Sequence, residues 1–234
     1  MDNIAALTML DISPTSEEDM LTSIRGIEYF RSLTHLDCSS NKLTTIDLSK
    51  NTALVELDIS TNNLESLDLS QNTALQHLTS YWNDLTSLDL TDNPELEYLR
   101  CFGNDLRSLD LSSNPALTDL DCSMNFSLTS LDISKNTALL ELYCYSTMLT
   151  SLDTSNNTAL TLLDCSSCEL TALDISQNTA LKRLSCEYNP GDMESTFPVT
   201  AWFENKVFAS GFILSIESWD YEGKTITVKF RKAE

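Results

Sequence analysis

The sequence predicts a mostly β repeat solenoid, a right-handed coil with a parallel β-sheet on its concave face and short strands or turns on its convex side. One motif recurs at a nearly constant interval, and each copy contains the apolar–polar alternation of a short strand. Leucine is concentrated in the part of the chain that contains the motif, since 38 of the 39 leucines occur at or before Leu184. A sustained period of this kind indicates a solenoid, because no single unit can bury its apolar face alone.

Each unit has two halves, as the unit that begins at Leu54 illustrates. Leu57 and Ile59 are two residues apart, so they face the same side of an extended strand. Asn62 follows where the chain must turn, and an inward Asn can bond backbone groups that the turn leaves unpaired. Stacked copies predict one ladder at Asn41, Asn62, Asn83, Asn104, Asn125 and Asn189, with Thr147 and Cys168 as substitutes, and a second at Asn51, Asn72, Asn93, Asn114, Asn136, Asn157 and Asn178.

An Ile/Leu-Asp pair marks the second half of seven successive units, at a spacing of 21 residues with one step of 22. Parallel strands stack about 4.8 Å apart, so a column of carboxylates on successive units needs compensation. Either Ser/Thr hydroxyls and backbone N–H groups of the LDLS turn bond the carboxylates, or divalent cations bridge them. The pattern favours the turn, and no metal or other cofactor is predicted. The column is Asp47, Asp68, Asp89, Asp110, Asp132, Asp153 and Asp174.

The two half-motifs, LxxLxLxxNxL and xxLDLSxNxx, resemble those of bacterial leucine-rich repeats, and specifically their shortest, nested class of 21 residues (the IRREKO type). The resemblance covers roughly residues 33–190 in eight units, which begin at Leu33, Leu54, Leu75, Leu96, Leu117, Leu139, Leu160 and Leu181. The LDLSxNTAL wording is also similar to surface or secreted proteins of Bacteroidetes. The resemblance implies a curved solenoid used for protein binding; it implies no catalytic activity and no particular ligand.

The segments outside the array are predicted to be caps. Residues 1–32 read as a degenerate N-terminal unit, in which Ser16–Asp19 could start a short helix through its capping serine and acidic first turn. After residue 190 the leucine pattern stops, and residues 191–234 are predicted to close the stack with a short helix at Thr200–Phe208 and a β-hairpin. A separate ligand-binding domain is the alternative, although 44 residues are few for an independent core.

Six of the seven cysteines occupy the inward strand slot that holds Ile59 in the second unit, so they are expected to be small core residues. Cys165 and Cys168 form a lone CxxC, for which a redox motif or a zinc site is the alternative. A redox motif needs a strand-to-helix context and zinc needs a second ligand pair, and the sequence shows neither. The six are Cys38, Cys101, Cys122, Cys144, Cys165 and Cys186.

Charge and hydropathy restrict the partner and the compartment. The formal charge of −21 argues against nucleic acid or an anionic membrane as a partner, since both are polyanions. No segment has the unbroken apolar length of a transmembrane span, and the N-terminus lacks the features of a signal peptide. The protein is therefore expected to be extracellular or on the cell surface if an export signal or lipoprotein anchor has been removed, and cytoplasmic if Met1 is its native start.

Large side chains interrupt the small and acidic background of the strand face in units three to six. Leucines already fill the core, so these side chains are not needed there. Aromatic residues together with Arg are typical of binding hot spots. They predict a protein-binding patch, with a host or bacterial surface protein as the partner. The alternatives are a glycan on the same aromatic strip and a purely structural spacer. The predicted site residues are His77, Tyr81, Trp82, Tyr98, Arg100, Phe102, Met124, Tyr143 and Tyr145.

No pattern of an enzyme is present. His35 and His77 lie two units apart, which places them roughly 10 Å from each other and too far to share one metal ion. The sequence contains no G-x-S-x-G elbow or phosphate loop. Its paired carboxylates follow the repeat period instead of marking one site, so a non-catalytic scaffold is predicted.

Overall fold

One parallel sheet runs the length of the molecule and adds one three-residue strand per coil. The structure, a computed structural model, describes the backbone of residues 4–191, 196–201, 205–209, 213–221 and 224–232, and the side chains of 4–191 and 197–201. In this part of the chain the sheet has eleven strands: nine from successive coils, followed by the two strands of a C-terminal hairpin. The strands of the coils are β1 Met9–Asp11, β2 His35–Asp37, β3 Glu56–Asp58, β4 His77–Thr79, β5 Tyr98–Arg100, β6 Asp119–Asp121, β7 Glu141–Tyr143, β8 Leu162–Asp164 and β10 Arg183–Ser185.

The strand register repeats the sequence period and confirms the predicted solenoid. Leu57 pairs with Leu36 on one side and with Leu78 on the other, each 21 residues away. At the longer step Leu120 pairs with Leu142, so the extra residue is absorbed outside the strand. It forms a turn in which the Leu128 N–H donates to the Asn125 carbonyl at 3.0 Å, and Phe126 beside it is 63% exposed.

The first asparagine ladder joins neighbouring coils, as predicted. Asn62 Oδ1 accepts the Leu43 N–H at 2.9 Å, and its Nδ2 lies 3.1 Å from the carbonyl oxygens of Cys38 and Ile59. One side chain thus serves its own turn and the coil before it. Asn83, Asn104, Asn125 and Asn189 repeat this arrangement in their own units.

The second ladder lies behind the convex turns and is buried completely. Asn72 Nδ2 donates to the carbonyl oxygens of Leu48 at 3.3 Å and of Asn51 at 2.9 Å. The same bonds recur from Asn93 to Asn178. The two ladders flank a core of leucine, isoleucine and cysteine that is continuous from the first coil to the last described one.

The convex aspartates are held by their own turns, which is the first of the two predicted compensations. Asp47 Oδ1 accepts the Ser49 N–H at 3.0 Å, and the same bond recurs in units two to seven. The Ser or Thr side-chain and backbone bonds lower the pKa of Asp47, Asp68 and Asp89. In the described residues, no three His, Cys, Asp or Glu side chains are grouped as metal ligands would be.

The two ends differ from the coils. Ser16 precedes a single 3₁₀ turn at Glu17–Asp19 and its hydroxyl donates to Asp19 at 2.8 Å, so the predicted helix is one turn long. A second 3₁₀ turn follows at Ile27–Tyr29. At the other end, β13 Ile213–Tyr221 and β14 Lys224–Lys232 form the predicted antiparallel hairpin, and β14 adds to the sheet beside β10.

The predicted helix at Thr200–Phe208 is wrong. This part of the chain contains β11 Thr196–Ala201 and β12 Asn205–Ala209, which pair antiparallel with each other. β11 also pairs in parallel with β9 Leu173–Ile175 on the convex side of unit seven. Phe197, Val199 and Ala201 are buried while Thr200 is exposed, so a two-residue alternation and an available strand edge decide the conformation.

Candidate functional site

The concave strand face carries its own structural device, an aspartate that holds the turn after its strand. Asp37 Oδ1 accepts the Ser39 N–H at 2.9 Å, and Asp58 accepts that of Ser60 at 2.9 Å. This is the bond that the convex aspartates make, two residues ahead in both cases. Asp11, Asp121 and Asp164 use it as well. These concave carboxylates therefore stabilise their own turns.

Several units replace this pair with larger groups. Thr79 and Tyr81 occupy the two positions in unit three, Arg100 and Phe102 in unit four, and Tyr143 and Tyr145 in unit six. Unit eight has Ser185 and Glu187. Because units three, four and six lack the bonded Asp–Ser pair, their side chains at these positions are not committed to holding that turn. The predicted patch covers units three to six, and of these only unit five keeps the bonded pair, at Asp121 and Ser123.

Three of the predicted residues form a packed group, which we call the aromatic platform: Tyr81, Trp82 and Phe102. The rings of Tyr81 and Phe102 stack with their centroids 4.5 Å apart and their planes 12° from parallel. Trp82 meets Phe102 edge-on at 5.9 Å and is 47% exposed. Both geometries are favourable for aromatic pairs, so the platform is ordered before any ligand arrives.

Gly103 makes room for the platform. A Cβ at Gly103 would lie 2.7 Å from Cε3 of Trp82, closer than a carbon contact allows, so the indole ring rests against the glycine backbone. The positive φ of +64° does not by itself require glycine here, because the residues at the same corner of other units adopt φ values from 50° to 61° with full side chains. Those residues are Ser40, Thr61, Trp82, Met124, Ser146, Ser167 and Tyr188.

A second group lies on the strands themselves. His77 and Tyr98 meet edge-on with ring centroids 5.9 Å apart, and the Arg100 guanidinium lies 5.0 Å from the centre of the Tyr98 ring. Partial burial raises the pKa of Tyr98. The face of Tyr98 thus already holds one cation of the chain.

The remaining predicted residues lie one or two strands further along and make no described ring contact with the others. The Tyr143 hydroxyl donates to Glu141 at 3.2 Å. The Met124 N–H donates to the Tyr145 carbonyl at 2.8 Å, so these two are joined through their backbones. All three side chains are half-buried. The predicted site is therefore an ordered part in units three and four and a looser extension in units five and six.

A hollow of about 730 Å³ lies on the N-terminal half of the concave face, outside the predicted site, and we call it the acidic hollow. Glu56 lines it, and its carboxylate lies 2.9 Å from His77 Nδ1 and 3.3 Å from His35 Nε2. The repeat spacing alone places the two histidines roughly 10 Å apart and does not show the carboxylate that joins them. Reading one strand position across successive units could have found it. The lining residues are Met9, Leu10, Asp11, His35, Leu36, Asp37, Glu56, Leu57, Asp58, His77, Thr79 and Tyr98.

Known proteins share this architecture. The Leucine Rich Repeat family profile matches residues 32–51. The functional domain of InlJ from Listeria monocytogenes, described as including a cysteine ladder, is 38% identical with a TM-score of 0.72, and the match covers 80% of this chain and 46% of that one. The chain is a leucine-rich repeat protein.

Two further solved structures share the leucine-rich repeat fold at lower identity. A leucine-rich repeat protein of Leptospira interrogans is 24% identical with a TM-score of 0.67, over 72% of this chain and 46% of that one. Internalin C2 of Listeria monocytogenes is 19% identical with a TM-score of 0.68, over 77% of this chain and 80% of that one. The chain thus spans about half the length of InlJ's functional domain and of the Leptospira protein. No curated protein matches it.

The cysteines of this leucine-rich repeat array are buried and form no disulfide in the described residues, as predicted for core positions. Burial raises the pKa of most of these thiols, including Cys101 and Cys165. Cys168 differs because it takes the place of a ladder asparagine. A hydrogen bond with the Cys144 thiol lowers the pKa of Cys168 to about 7.

No helix in the described part of the leucine-rich repeat protein has the length and apolarity that crossing a membrane requires. Its described helices are two single 3₁₀ turns near the N-terminus, and the rest of the array is strand and turn.

Proposed function

We propose that this leucine-rich repeat protein is a non-catalytic recognition scaffold that binds a protein partner through the concave face of units three to six. The observation that carries the proposal is the aromatic platform, ordered on Gly103 and left half exposed in a sheet whose core needs none of its rings. Ordered aromatic side chains contribute most to interfaces, because they bury a large area and lose little side-chain entropy on binding.

The proposal extends to the class and the compartment of the protein. A repeat of 21 residues and the LDLSxNTAL wording support assignment to the short nested class, of the kind found in surface or secreted proteins of Bacteroidetes. Its similarity to InlJ supports a location outside the cell or on its surface, with the partner on a host or bacterial surface.

The test removes the platform and its extension without touching the core. A variant with Trp82, Tyr98, Phe102 and Tyr145 changed to Ala should lose capture of its protein partner while its melting temperature stays within about 3 °C of the parent, because none of the four lies in the leucine core. A control variant with the convex residues Ser49, Ser70 and Ser112 changed to Ala should still capture the partner. Undiminished capture by the aromatic variant would disprove the site.

A glycan is the second candidate, favoured by the exposed indole of Trp82 on which a sugar ring can lie flat. A glycan array separates the two. Retention of a glycan by the parent and its loss in Trp82→Ala would support the carbohydrate ligand, whereas a blank array would count against it. A pure structural spacer predicts that neither assay finds a ligand.

A further inference from the structure

We propose that the acidic hollow receives an arginine-bearing extended segment of the protein partner, with guanidinium groups seated between its carboxylates and the ring of Tyr98. The inference rests on the proposed function and specifies the chemistry of the partner. It concerns the N-terminal half of the concave face, which the aromatic residues of units three to six reach only through His77 and Tyr98.

The hollow is negatively charged, and its own lining supplies no lysine or arginine to neutralise it. Asp11, Asp37 and Asp58 stand on three adjacent strands in direct register. Neighbouring strands are about 4.8 Å apart, so the carboxylates form a row across the sheet. Each uses one oxygen, Oδ1, for the serine two residues ahead. A cationic partner would supply the charge that the chain itself does not.

The fourth carboxylate is already engaged. Glu56 is bridged by His35 and His77, and these are the ion pairs found in the described residues. The row of aspartates is different, because burial raises the pKa of Asp58 and the adjacent Asp37 carboxylate raises it further. Carboxylates held near one another and partly out of water gain more from an added cation than solvated ones do.

Tyr98 makes guanidinium the preferred cation. Arg100 of the chain lies 5.0 Å from the centre of this ring and occupies one side of it, which shows that a guanidinium packs favourably against Tyr98. A guanidinium of the partner would contact the part of the ring that lines the hollow. Arginine also bonds a carboxylate with two parallel N–H groups, which lysine cannot do. An extended segment laid across the strands would therefore place an arginine against the aspartate row and another near Tyr98.

The decisive comparison is between two faces of one protein at equal charge. Asp37→Asn with Asp58→Asn removes two charges from the hollow, while the asparagine oxygens can still accept the serine N–H bonds and keep the turns. Asp47→Asn with Asp68→Asn makes the same chemical change on the convex side. Each single substitution serves as a second variant if a pair lowers the melting temperature.

The probe is a fluorescent (Arg-Ser)4 peptide, with (Lys-Ser)4 as its equal-charge counterpart, measured by anisotropy on the full chain in about 150 mM salt, where long-range attraction is screened. We expect the hollow pair to weaken binding of the arginine peptide by about tenfold or more and the convex pair by less than about twofold. We also expect the lysine peptide to bind several-fold more weakly than the arginine peptide.

Equal losses in the two pairs would show attraction to net charge alone and would overturn the proposal. So would equal affinity for both peptides, or no binding of the arginine peptide at about 1 mM. These outcomes remain distinct from failure of the proposed function. A scaffold that loses its protein partner with the aromatic variant, yet ignores the arginine peptide, keeps the proposed function and rejects this inference.

Discussion

Asn62 and its equivalents show how single residues define a coil that has almost no regular secondary structure. The carboxamide accepts one N–H from the preceding unit and donates to carbonyl oxygens of two units. A buried backbone group left without such a partner costs about 1–3 kcal/mol. The stack therefore depends on each copy, and units six and seven are where the ladder is interrupted, by Thr147 and Cys168.

Replacing Cys168 with Asn should stabilise the protein. The residue at this place in other units accepts a leucine N–H through Oδ1, as Asn189 does for Leu170 at 3.0 Å, and a thiol is a weaker group for that role. We expect the free energy of unfolding in urea to rise by about 1 kcal/mol, or about 2–4 °C in melting temperature. Cys165→Asn is the matched control: it places the same amide in the apolar slot and should destabilise. A fall in stability for Cys168→Asn would contradict the ladder argument.

The residue-level features that the sequence could predict are those that follow the period. The ladders, the inward cysteines and the turn aspartates each occupy a fixed position of the unit, so position alone defines their surroundings. The contact of Trp82 with Gly103 could not be predicted in the same way, because it depends on how two adjacent corners pack. The contact of Glu56 with both histidines can be predicted from the sequence, since all three residues occupy one strand position in consecutive units.

At the scale of the element, one short turn recurs on the convex side of units one to seven and is used again after the strand in units one, two, five and seven. An aspartate accepts the N–H of the residue two positions ahead, after the strand at Asp37 and on the convex side at Asp47. In units where an aspartate holds this turn, the residue at that position cannot change without loss of the hydrogen bond. Where the pair is lost, as at Arg100 and Phe102, the unit presents different chemistry. The same two positions of the unit therefore carry either the aspartate that holds the turn and its partner, or other side chains such as Arg100 and Phe102.

The convex turns predict how stability depends on pH. Hydrogen bonds from the turn lower the folded-state pKa of six convex aspartates, so their contribution is present above the unfolded pKa of about 4 and is lost as the pH falls through the lower folded value. The six are Asp47, Asp68, Asp89, Asp110, Asp132 and Asp153. The raised pKa values of Asp58, Asp119 and Asp121 act in the opposite direction. Because the lowered group is larger, we expect the melting temperature to fall between pH 4 and pH 3.

The measurement is a set of melting curves from pH 3 to pH 7. A variant with Asp47, Asp68 and Asp89 changed to Asn should show a shallower fall at the acid end than the parent. A control with the exposed residues Glu65, Glu95 and Glu169 changed to Gln removes the same number of charges outside these turns. If both variants flatten the profile equally, net charge and not the turn explains the pH dependence.

The caps mark the limit of element prediction. The hairpin of β13 and β14 could be predicted because its alternation and its turn are local in the sequence. β11 and β12 could not, since what fixes them is pairing with β9 on the convex side, a partner more than twenty residues earlier. Taken alone, the sequence of Thr200–Phe208 is compatible with a helix, and pairing with the edge of β9 is what favours a strand instead.

At the scale of the whole molecule, stability is close to a sum over coils and the interfaces between them. The core is continuous, and the concave strands of the eight units each pair with the strand one repeat away. Removing one complete coil should therefore shorten the protein without changing its architecture. The N-terminal units and the aromatic units are then separable parts of one scaffold.

Deletion of Leu54–Ala74, one full unit, joins Ala53 to Leu75 in the same sequence context as the natural junction. We expect a single cooperative transition with a melting temperature about 5–10 °C lower, because one interface is lost. Deletion of Leu54–Leu64, which removes the strand half alone, should abolish cooperative melting. Thermal unfolding followed by circular dichroism compares the two, and similar curves would contradict a modular stack.

The left-handed corner that follows each strand has a practical consequence for changing what the protein recognises. Serine, threonine, tryptophan, methionine, glycine and tyrosine all occupy it with φ between 50° and 64°. The backbone there tolerates side chains of very different size, and successive corners lie about one strand spacing apart along the concave rim. A combinatorial library confined to these corners would vary an entire edge of the molecule while every carboxamide and turn carboxylate stays in place, so new specificities could be selected from a fold that is already stable.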